Sequence, residues 1–246
     1  ASMRAFLVAA LGLLTASCLD FDRYGESAGG AGAGGGSEGG GGAGGGSGGA
    51  PSCGGGPVPT AVCITGALYD FNAPFGGDWA WTEIGIVGNG CGGQCADLTL
   101  NAARLDLRTT VSGMADDCYA SVAITSSTGD RTFLELVPDG PDMGGTIPEA
   151  DLAQNVEVAV EDDIVRFRVA GVTIPVLTLP PETLIDVLRI QVRESTVVLE
   201  ALAAGQVMAC HEAAKPTVLA GQVRAGFGLQ GSSGQTATFD NYGVTP

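Results

Sequence analysis

The chain contains very little positive charge, with one lysine, Lys215, and one histidine, His211, in 246 residues. Lysine and arginine together number 11 against 27 aspartates and glutamates, and the formal net charge is −16 at pH 7. Binding a nucleic acid requires basic clusters that neutralise phosphates and release counterions. The composition therefore excludes a nucleic-acid partner, and an anionic membrane surface would repel the protein as well.

Patterns typical of metal and nucleophile chemistry are also missing. Cys91 and Cys95 are separated by three residues, whereas redox motifs and zinc knuckles use a gap of two, and a single histidine offers no second ligand pair. Residues 57–246 contain no Gly-x-Ser-x-Gly elbow. A dyad of Cys210 and His211 is the alternative, but we expect Cys210 to be oxidised in a disulfide and His211 to be exposed. We predict no metal site and no enzyme activity.

No apolar run reaches the roughly 20 residues of a membrane-spanning helix. The short run from Ala5 to Leu14 follows Arg4, as in a secretory signal. The segment Leu14-Thr15-Ala16-Ser17-Cys18 resembles the lipobox of bacterial lipoproteins, which implies that Cys18 is the acylated first residue of the mature protein. The alternative is an ordinary signal peptide cut near Ala16, with Cys18 as one more disulfide cysteine.

Acylation of Cys18 would make the membrane a partner through lipid alone, because acyl chains supply about 0.8 kcal/mol per buried methylene whatever the charge of the protein. Leu19 rather than aspartate follows the cysteine, which predicts the outer membrane or the cell surface. The predicted location is thus outside the cytoplasm, where paired thiols persist.

Seven cysteines are present, and assigning Cys18 to the lipid leaves an even set. The six candidates for disulfides are Cys53, Cys63, Cys91, Cys95, Cys118 and Cys210. Six cysteines allow 15 pairings, so the sequence does not decide among them. Short loops favour Cys91 with Cys95 and Cys53 with Cys63, which leaves Cys118 and Cys210 as a long-range pair.

Composition divides the chain into a signal peptide at residues 1–17, a flexible linker at 18–56 and a folded domain at 57–246. Residues 27–56 are almost entirely glycine, alanine and serine and form no core. Such a coil of about 30 residues spans on the order of 30 Å, which suits a tether. A glycine-rich fibre is the alternative, but the interleaved aromatic or amide residues of such elements are missing.

The folded domain shows apolar residues with a period of two. Residues 165–169 and 188–192 alternate apolar with polar side chains, which predicts antiparallel strands with one face inward and one in water. Many similar short runs are separated by Gly, Pro, Asp and Ser clusters, so the predicted fold class is all-β, an antiparallel β-sandwich. Helical periodicity is brief, at 148–153 and 210–214.

Two ends of the domain carry a recognisable pattern. Leu68-Tyr69-Asp70-Phe71 and Asp78-Trp79 stand at its start, and Ala225-Gly226-Phe227-Gly228-Leu229 and Thr238-Phe239-Asp240-Asn241-Tyr242-Gly243-Val244 at its end. These residues resemble the concanavalin A-like lectin and glucanase superfamily, with its opening Asp-Phe-x-Trp and closing Gly-x-Gly-Leu hairpin. The resemblance implies a jelly roll whose two termini lie side by side in one sheet.

Three arrangements are candidates for chemistry on this fold. The glucanases use Glu-x-Asp-x-x-Glu on one strand, but the nearest string, Glu149 to Gln154, ends in glutamine, and hydrolysis by that mechanism is not expected. Trp79 and Trp81 lie two apart and form either a sugar platform or, as burial favours, part of the core. Four aspartates are candidate calcium ligands, although no spacing motif supports them: Asp116, Asp117, Asp139 and Asp142.

The sequence as a whole predicts a cell-envelope lipoprotein that displays a lectin-like β-sandwich for glycan binding or adhesion. A structural or protein-interaction lipoprotein without a sugar site is the first alternative. An envelope polysaccharide hydrolase is the second.

Overall fold

The computed structural model of the protein describes residues 53, 56–64, 79–81, 85–91, 95–140, 154–180, 182–240 and 242, all within one compact unit, 35–246. Cys18, the signal peptide 1–17, most of the linker 18–56, the motif residues 68–71 and the predicted helical turn at 148–153 lie outside them. None of the described residues forms a helix of a length and apolarity that would cross a membrane.

The described residues form two sheets of eight strands each. Sheet I contains β1 (Ala61–Val62), β3 (Gly85–Gly90), β4 (Cys95–Leu100), β7 (Cys118–Ser127), β12 (Val187–Val192), β13 (Thr196–Ala203), β14 (Gln206–Ala214) and β16 (Thr236–Asp240). Sheet II contains β2 (Trp79–Trp81), β5 (Arg104–Thr109), β6 (Gly113–Met114), β8 (Arg131–Pro138), β9 (Val156–Glu161), β10 (Ile164–Val169), β11 (Val172–Thr178) and β15 (Gln222–Gln230). Apart from β1, every strand pairs antiparallel to its neighbours.

The strand order is β14-β13-β12-β7-β16-β4-β3 in sheet I and β11-β10-β9-β8-β15-β5-β2 in sheet II, with β1 beside β7 and β6 beside β15. β12 packs across the sandwich against β8 and β9, and β13 against β9. Alternate residues such as Leu134 and Leu136 point between the sheets into one apolar core. The predicted antiparallel β-sandwich is confirmed, and its strands match the period-two segments because each buries one face.

Two details differ from expectation. Residues 210–214 belong to β14 and not to a helical turn. The closing strands β15 and β16 lie in opposite sheets instead of forming a hairpin, and β2 is separated from β15 by β5. The turn between β15 and β16 therefore crosses from one sheet to the other, with a positive φ of 89° at Gly234 that glycine adopts readily.

Three disulfides join the described cysteines: Cys53–Cys210, Cys63–Cys118 and Cys91–Cys95. The Cys91–Cys95 pairing is as predicted, whereas the expected Cys53–Cys63 and Cys118–Cys210 pairs are wrong. Reasoning from short loops failed because the chain between Cys53 and Cys63 runs across sheet I from β14 to β7, where β1 pairs parallel with β7. We call Cys53 together with residues 56–64 the N-terminal strap.

Candidate functional site

The outer face of sheet II, which points away from the core, carries a lattice of charged residues built by strand register. One row across the sheet joins Thr173 and Arg168 to Glu157, Glu135, Gly226 and Arg108. The next row runs through Arg166, Ala159, Phe133, Gly228 and Asp106. Six of the chain's 11 basic residues lie on this one face: Arg104, Arg108, Arg131, Arg166, Arg168 and Arg224.

The centre of this face is a buried ion network around Glu135. Its carboxylate accepts hydrogen bonds from Arg108 Nε at 2.8 Å, Arg104 Nη2 at 3.2 Å and Asn155 Nδ2 at 2.8 Å. Arg104 also contacts Asp106 at 2.8 Å, and its guanidinium carbon lies 4.0 Å from the centre of the Phe133 ring. Glu135 is 0% exposed and Asp106 1% exposed. The carboxylates of the network are therefore buried from solvent, although they lie on the outer face of sheet II and not between the two sheets.

Burial and charge shift the pKa values of this network in opposite directions. For Asp106 burial outweighs the attraction of Arg104 and raises the pKa to about 6. For Glu135 burial also acts to raise the pKa, but Arg108 and Arg104 outweigh it and the net shift is downward. Burial likewise acts to lower the pKa of Arg104, yet Asp106, Glu135 and Glu157 raise it overall. The network therefore holds Arg104 and Glu135 charged.

Two glycines of β15 make room for these side chains. A Cβ on Gly226 would lie 2.7 Å from Arg108 Cγ, and one on Gly228 would lie 2.2 Å from the Leu105 carbonyl oxygen and 2.6 Å from the Phe133 ring. Any larger residue would push the arginines and the phenylalanine off the sheet. The Gly-x-Gly pattern quoted for the superfamily resemblance thus has a packing role here.

Next to the network lies a cavity of about 250 Å³ lined by Arg131, Glu161, Arg166, Phe167, Arg168 and Thr173. Glu161 forms ion pairs with Arg166 and, at 3.4 Å, with Arg131. Glu157 forms a second ion pair with Arg131. The cavity thus lies where β8, β9, β10 and β11 bring charged side chains together.

Two donor groups of the cavity are free of partners. No hydrogen bond or ion pair joins the Arg168 guanidinium to another described residue, and Nε of Arg131 is buried without a hydrogen-bond partner. Burial lowers the pKa of Arg131, and the positive charges of Arg168 and Arg104 contribute to that shift. The cavity therefore offers unused donors and a local excess of positive charge.

Sheet I carries a smaller charged group on its own outer face. Arg189 Nε and Gln191 Nε2 each donate to Glu200 Oε2 at 2.6 Å, and all three residues are at most 4% exposed. The N-terminal strap is fixed beside this group, with Arg193 donating to the carbonyl of Gly56 at 3.1 Å. The prediction that the polar positions of β12 face water is wrong for Arg189 and Gln191, because their partners lie on the neighbouring strand.

Trp79 belongs to the core, the alternative that burial favoured over a sugar platform. It is 4% exposed, and its ring lies 5.4 Å from that of Phe227 and 5.2 Å from that of Tyr242, both edge-on. Phe227 in turn contacts Phe239 at 4.8 Å. The backbone of Trp81 pairs with Leu107, and its side chain lies outside the described part of the chain. Four of the residues that suggested the superfamily, Trp79, Phe227, Phe239 and Tyr242, therefore form one aromatic cluster.

The candidate calcium ligands do not form a site within the described part of the chain. Asp139 accepts a hydrogen bond from Arg224 Nε at 2.7 Å, which lowers its pKa, and Asp116 lies 3.6 Å from Lys215. No group of three described His, Cys, Asp or Glu residues is placed to hold a metal ion. Asp117 is exposed and Asp142 lies outside the described residues.

The described residues considered for catalysis, Cys210 and His211, lie on β14 of sheet I and not on the charged face of sheet II. Cys210 is in a disulfide, and His211 is half-buried and stacks on Phe167 at 6.0 Å instead of being exposed. Residues 149–153 lie outside the described residues. Asp106, Glu135 and Glu157, which the sequence reasoning missed, are too buried to reach a polysaccharide. Their signal was a charged residue inside an apolar strand, as in Val156-Glu157-Val158.

Comparison with known proteins supports the fold. No protein-family model matches the chain, and no curated protein matches it. Solved structures do: the Bauhinia forficata lectin in complex with GalNAc has a TM-score of 0.50 at 13% identity, over 71% of this chain and 95% of the lectin. A Bacillus licheniformis β-glucanase (TM-score 0.45, 13% identity, 73% and 97% coverage) and a Bacillus subtilis carbohydrate-binding module (0.45, 14%, 67% and 93%) are also similar. The sandwich therefore shares the jelly-roll fold of the lectin.

Proposed function

We propose that the protein is a glycan-binding module, displayed on the cell envelope by a lipid on Cys18, and that sugars bind at the outer face of sheet II. The observation that carries the proposal is the cavity of about 250 Å³ beside the buried ion network. Its lining combines guanidinium donors, the Glu161 carboxylate and the Thr173 hydroxyl, the groups that hydrogen-bond to sugar hydroxyls.

The fold adds support, because the Bauhinia forficata lectin of the same architecture was solved in complex with GalNAc. Fold alone does not determine function, so the proposal rests on the cavity. The network next to it contributes rigidity, since Glu135 and Arg104 fix side chains of β5 and β8 through charged hydrogen bonds. A rigid surface loses little entropy when a ligand binds.

Display on the envelope is supported by the sequence of the N-terminal region and by the disulfides. Three disulfides fit an oxidising compartment, and they leave Cys18 as the single cysteine without a described bond. The glycine-rich residues before the strap would keep the domain clear of the membrane. Metabolic labelling with a fatty-acid analogue should label the protein, and Cys18→Ser should abolish the label. An unlabelled wild-type protein would contradict lipidation, and a fully labelled Cys18→Ser variant would contradict Cys18 as its site.

Sugar binding is tested with the purified protein on an array of neutral and acidic glycans, with and without calcium. We expect binding to a subset of glycans and loss of that binding in an Arg166→Gln variant, because Arg166 lines the cavity and its side chain is 34% exposed. The matched control is Lys215→Gln, which changes the net charge equally but lies directly after β14 of the other sheet. No binding to any glycan, together with capture of an envelope protein, would favour the protein-interaction alternative.

A further inference from the structure

The cavity between β8 and β11 has an excess of cations in a protein that is otherwise strongly acidic. Three guanidiniums, those of Arg131, Arg166 and Arg168, line it. They face the carboxylate of Glu161 and that of Glu157, which pairs with Arg131. Three positive against two negative charges leave one positive charge in a chain whose net charge is −16.

Among the described residues that line the cavity, Arg168 is the cation that forms no hydrogen bond or ion pair. In the strand register it lies between Thr173 of β11 and Glu157 of β9, but Glu157 is bound by Arg131 and Asn155. A guanidinium is always charged and offers a planar fork of donors that fits a carboxylate or sulfate. Nε of Arg131, buried and without a hydrogen-bond partner, adds a further donor.

The cavity has no accessible aromatic platform among its described residues. Phe167 lines it, but its side chain is 3% exposed and faces the core, where it stacks on His211. Recognition must therefore depend on hydrogen bonds and charge instead of stacking on an apolar ring. Ligands that carry an anionic group use both.

We propose that this cavity binds the anionic group of an acidic saccharide, such as a uronic acid carboxylate or a sugar sulfate, with Arg168 as the principal contact. The inference rests on the proposed glycan-binding function and names its ligand class. Glu161 and Thr173 then contact the neighbouring hydroxyls. The ion pairs of Glu161 with Arg131 and Arg166 orient these side chains before the ligand arrives.

Calorimetric titration of the protein with a trisaccharide of uronic acid residues tests the proposal, with the carboxyl-reduced neutral trisaccharide as the paired probe. We expect binding of the acidic trisaccharide that weakens as salt is raised, and at least tenfold weaker binding of the neutral one. Arg168→Gln should weaken binding of the acidic trisaccharide roughly ten- to hundredfold, as for loss of a charged hydrogen-bonded pair. Lys215→Gln should leave it unchanged.

Two further variants keep the test decisive. Arg168→Lys retains the charge and should bind better than Arg168→Gln but less well than the wild type. If Arg168→Gln fails to fold by circular dichroism, Arg166→Gln replaces it, since the Arg166 side chain is 34% exposed.

The outcomes separate this inference from the proposed function. Equal binding of the neutral and acidic trisaccharides would leave glycan binding in place and overturn the anionic site. Inorganic sulfate or a hexaglutamate peptide binding as tightly as the acidic trisaccharide would overturn the saccharide assignment. No binding of any glycan on the array or in the titration would remove both proposals.

Discussion

The outer faces of the two sheets both bury charged side chains, but they do so in different ways. On sheet I, Arg189 and Glu200 form one compact pair beside the N-terminal strap, which two disulfides fasten. On sheet II, Glu135 belongs to a network that extends over several strands and ends in a cavity with the unpaired Arg168. The comparison indicates two roles for buried charge. On sheet I every charge of the group has a partner, and the group stabilises the fold. On sheet II one arginine next to the cavity has no partner among the described residues, and its charge is available to a ligand.

The largest expected effect concerns the strap on sheet I. The Cys53–Cys210 disulfide joins residues 157 apart, so the chain-entropy relation assigns it about 5 kcal/mol of unfolding free energy. The double variant Cys53→Ser/Cys210→Ser should lose most of this in guanidinium unfolding. Removing Cys91–Cys95, whose partners are four apart, should cost about 2 kcal/mol. Equal losses of unfolding free energy in the two variants would contradict the claim that the Cys53–Cys210 disulfide stabilises the strap.

Replacing Glu135 breaks the network on sheet II. Glu135→Gln leaves Arg108 and Arg104 without their shared carboxylate in the interior, and we expect a loss of about 3 to 5 kcal/mol in unfolding free energy. Glu200→Gln, the matched change on sheet I, should cost less, about 1 to 3 kcal/mol, because a single arginine loses its partner. Urea unfolding of both variants checks the order. A larger loss for Glu200→Gln would reverse the comparison.

The stability of sheet II should depend on pH through Asp106. Its pKa of about 6 in the folded protein lies above the ordinary 3.8, so ionisation of this group is disfavoured on folding. The raised pKa of Asp106 adds to the free energy of unfolding below pH 3.8, and this added stability is lost as pH rises through 6. When the pH is lowered from 7 to 4, the unfolding free energy of the wild type should rise by up to about 3 kcal/mol relative to that of Asp106→Asn. Parallel pH profiles for the two proteins would contradict the raised pKa.

The smallest expected effect concerns the glycines that make room for the network. Gly228→Ala should cost about 1 to 3 kcal/mol, because the new Cβ overlaps the Leu105 carbonyl and the Phe133 ring. Gly88→Ala, in β3 of sheet I, should be nearly neutral, since nothing lies within 4 Å of that position. Thermal unfolding of the two variants checks this difference. Equal shifts in Tm would show that the Gly228 contacts do not constrain the face.

The strands and the core could be predicted from the sequence. Whether a charged side chain on an outer face is exposed or buried in an ion pair could not. The alternation of Val165, Phe167 and Val169 with arginines marks β10 directly, because strand period and burial are local properties. Whether Arg168 or Arg189 meets water depends on residues such as Glu157 and Glu200, which only strand pairing brings close. The two wrong disulfide pairings have the same origin, since strand topology decides where cysteines meet.

The central claim, that the outer face of sheet II is the binding face and that of sheet I is not, is tested most directly by an NMR titration. Backbone amide shifts of the protein would be followed as the uronic acid trisaccharide is added. The account predicts changes concentrated at residues 157–161 and 166–173, with the strands of sheet I at 187–192 and 196–203 unaffected. Changes confined to sheet I, or none at any concentration of the trisaccharide, would contradict it.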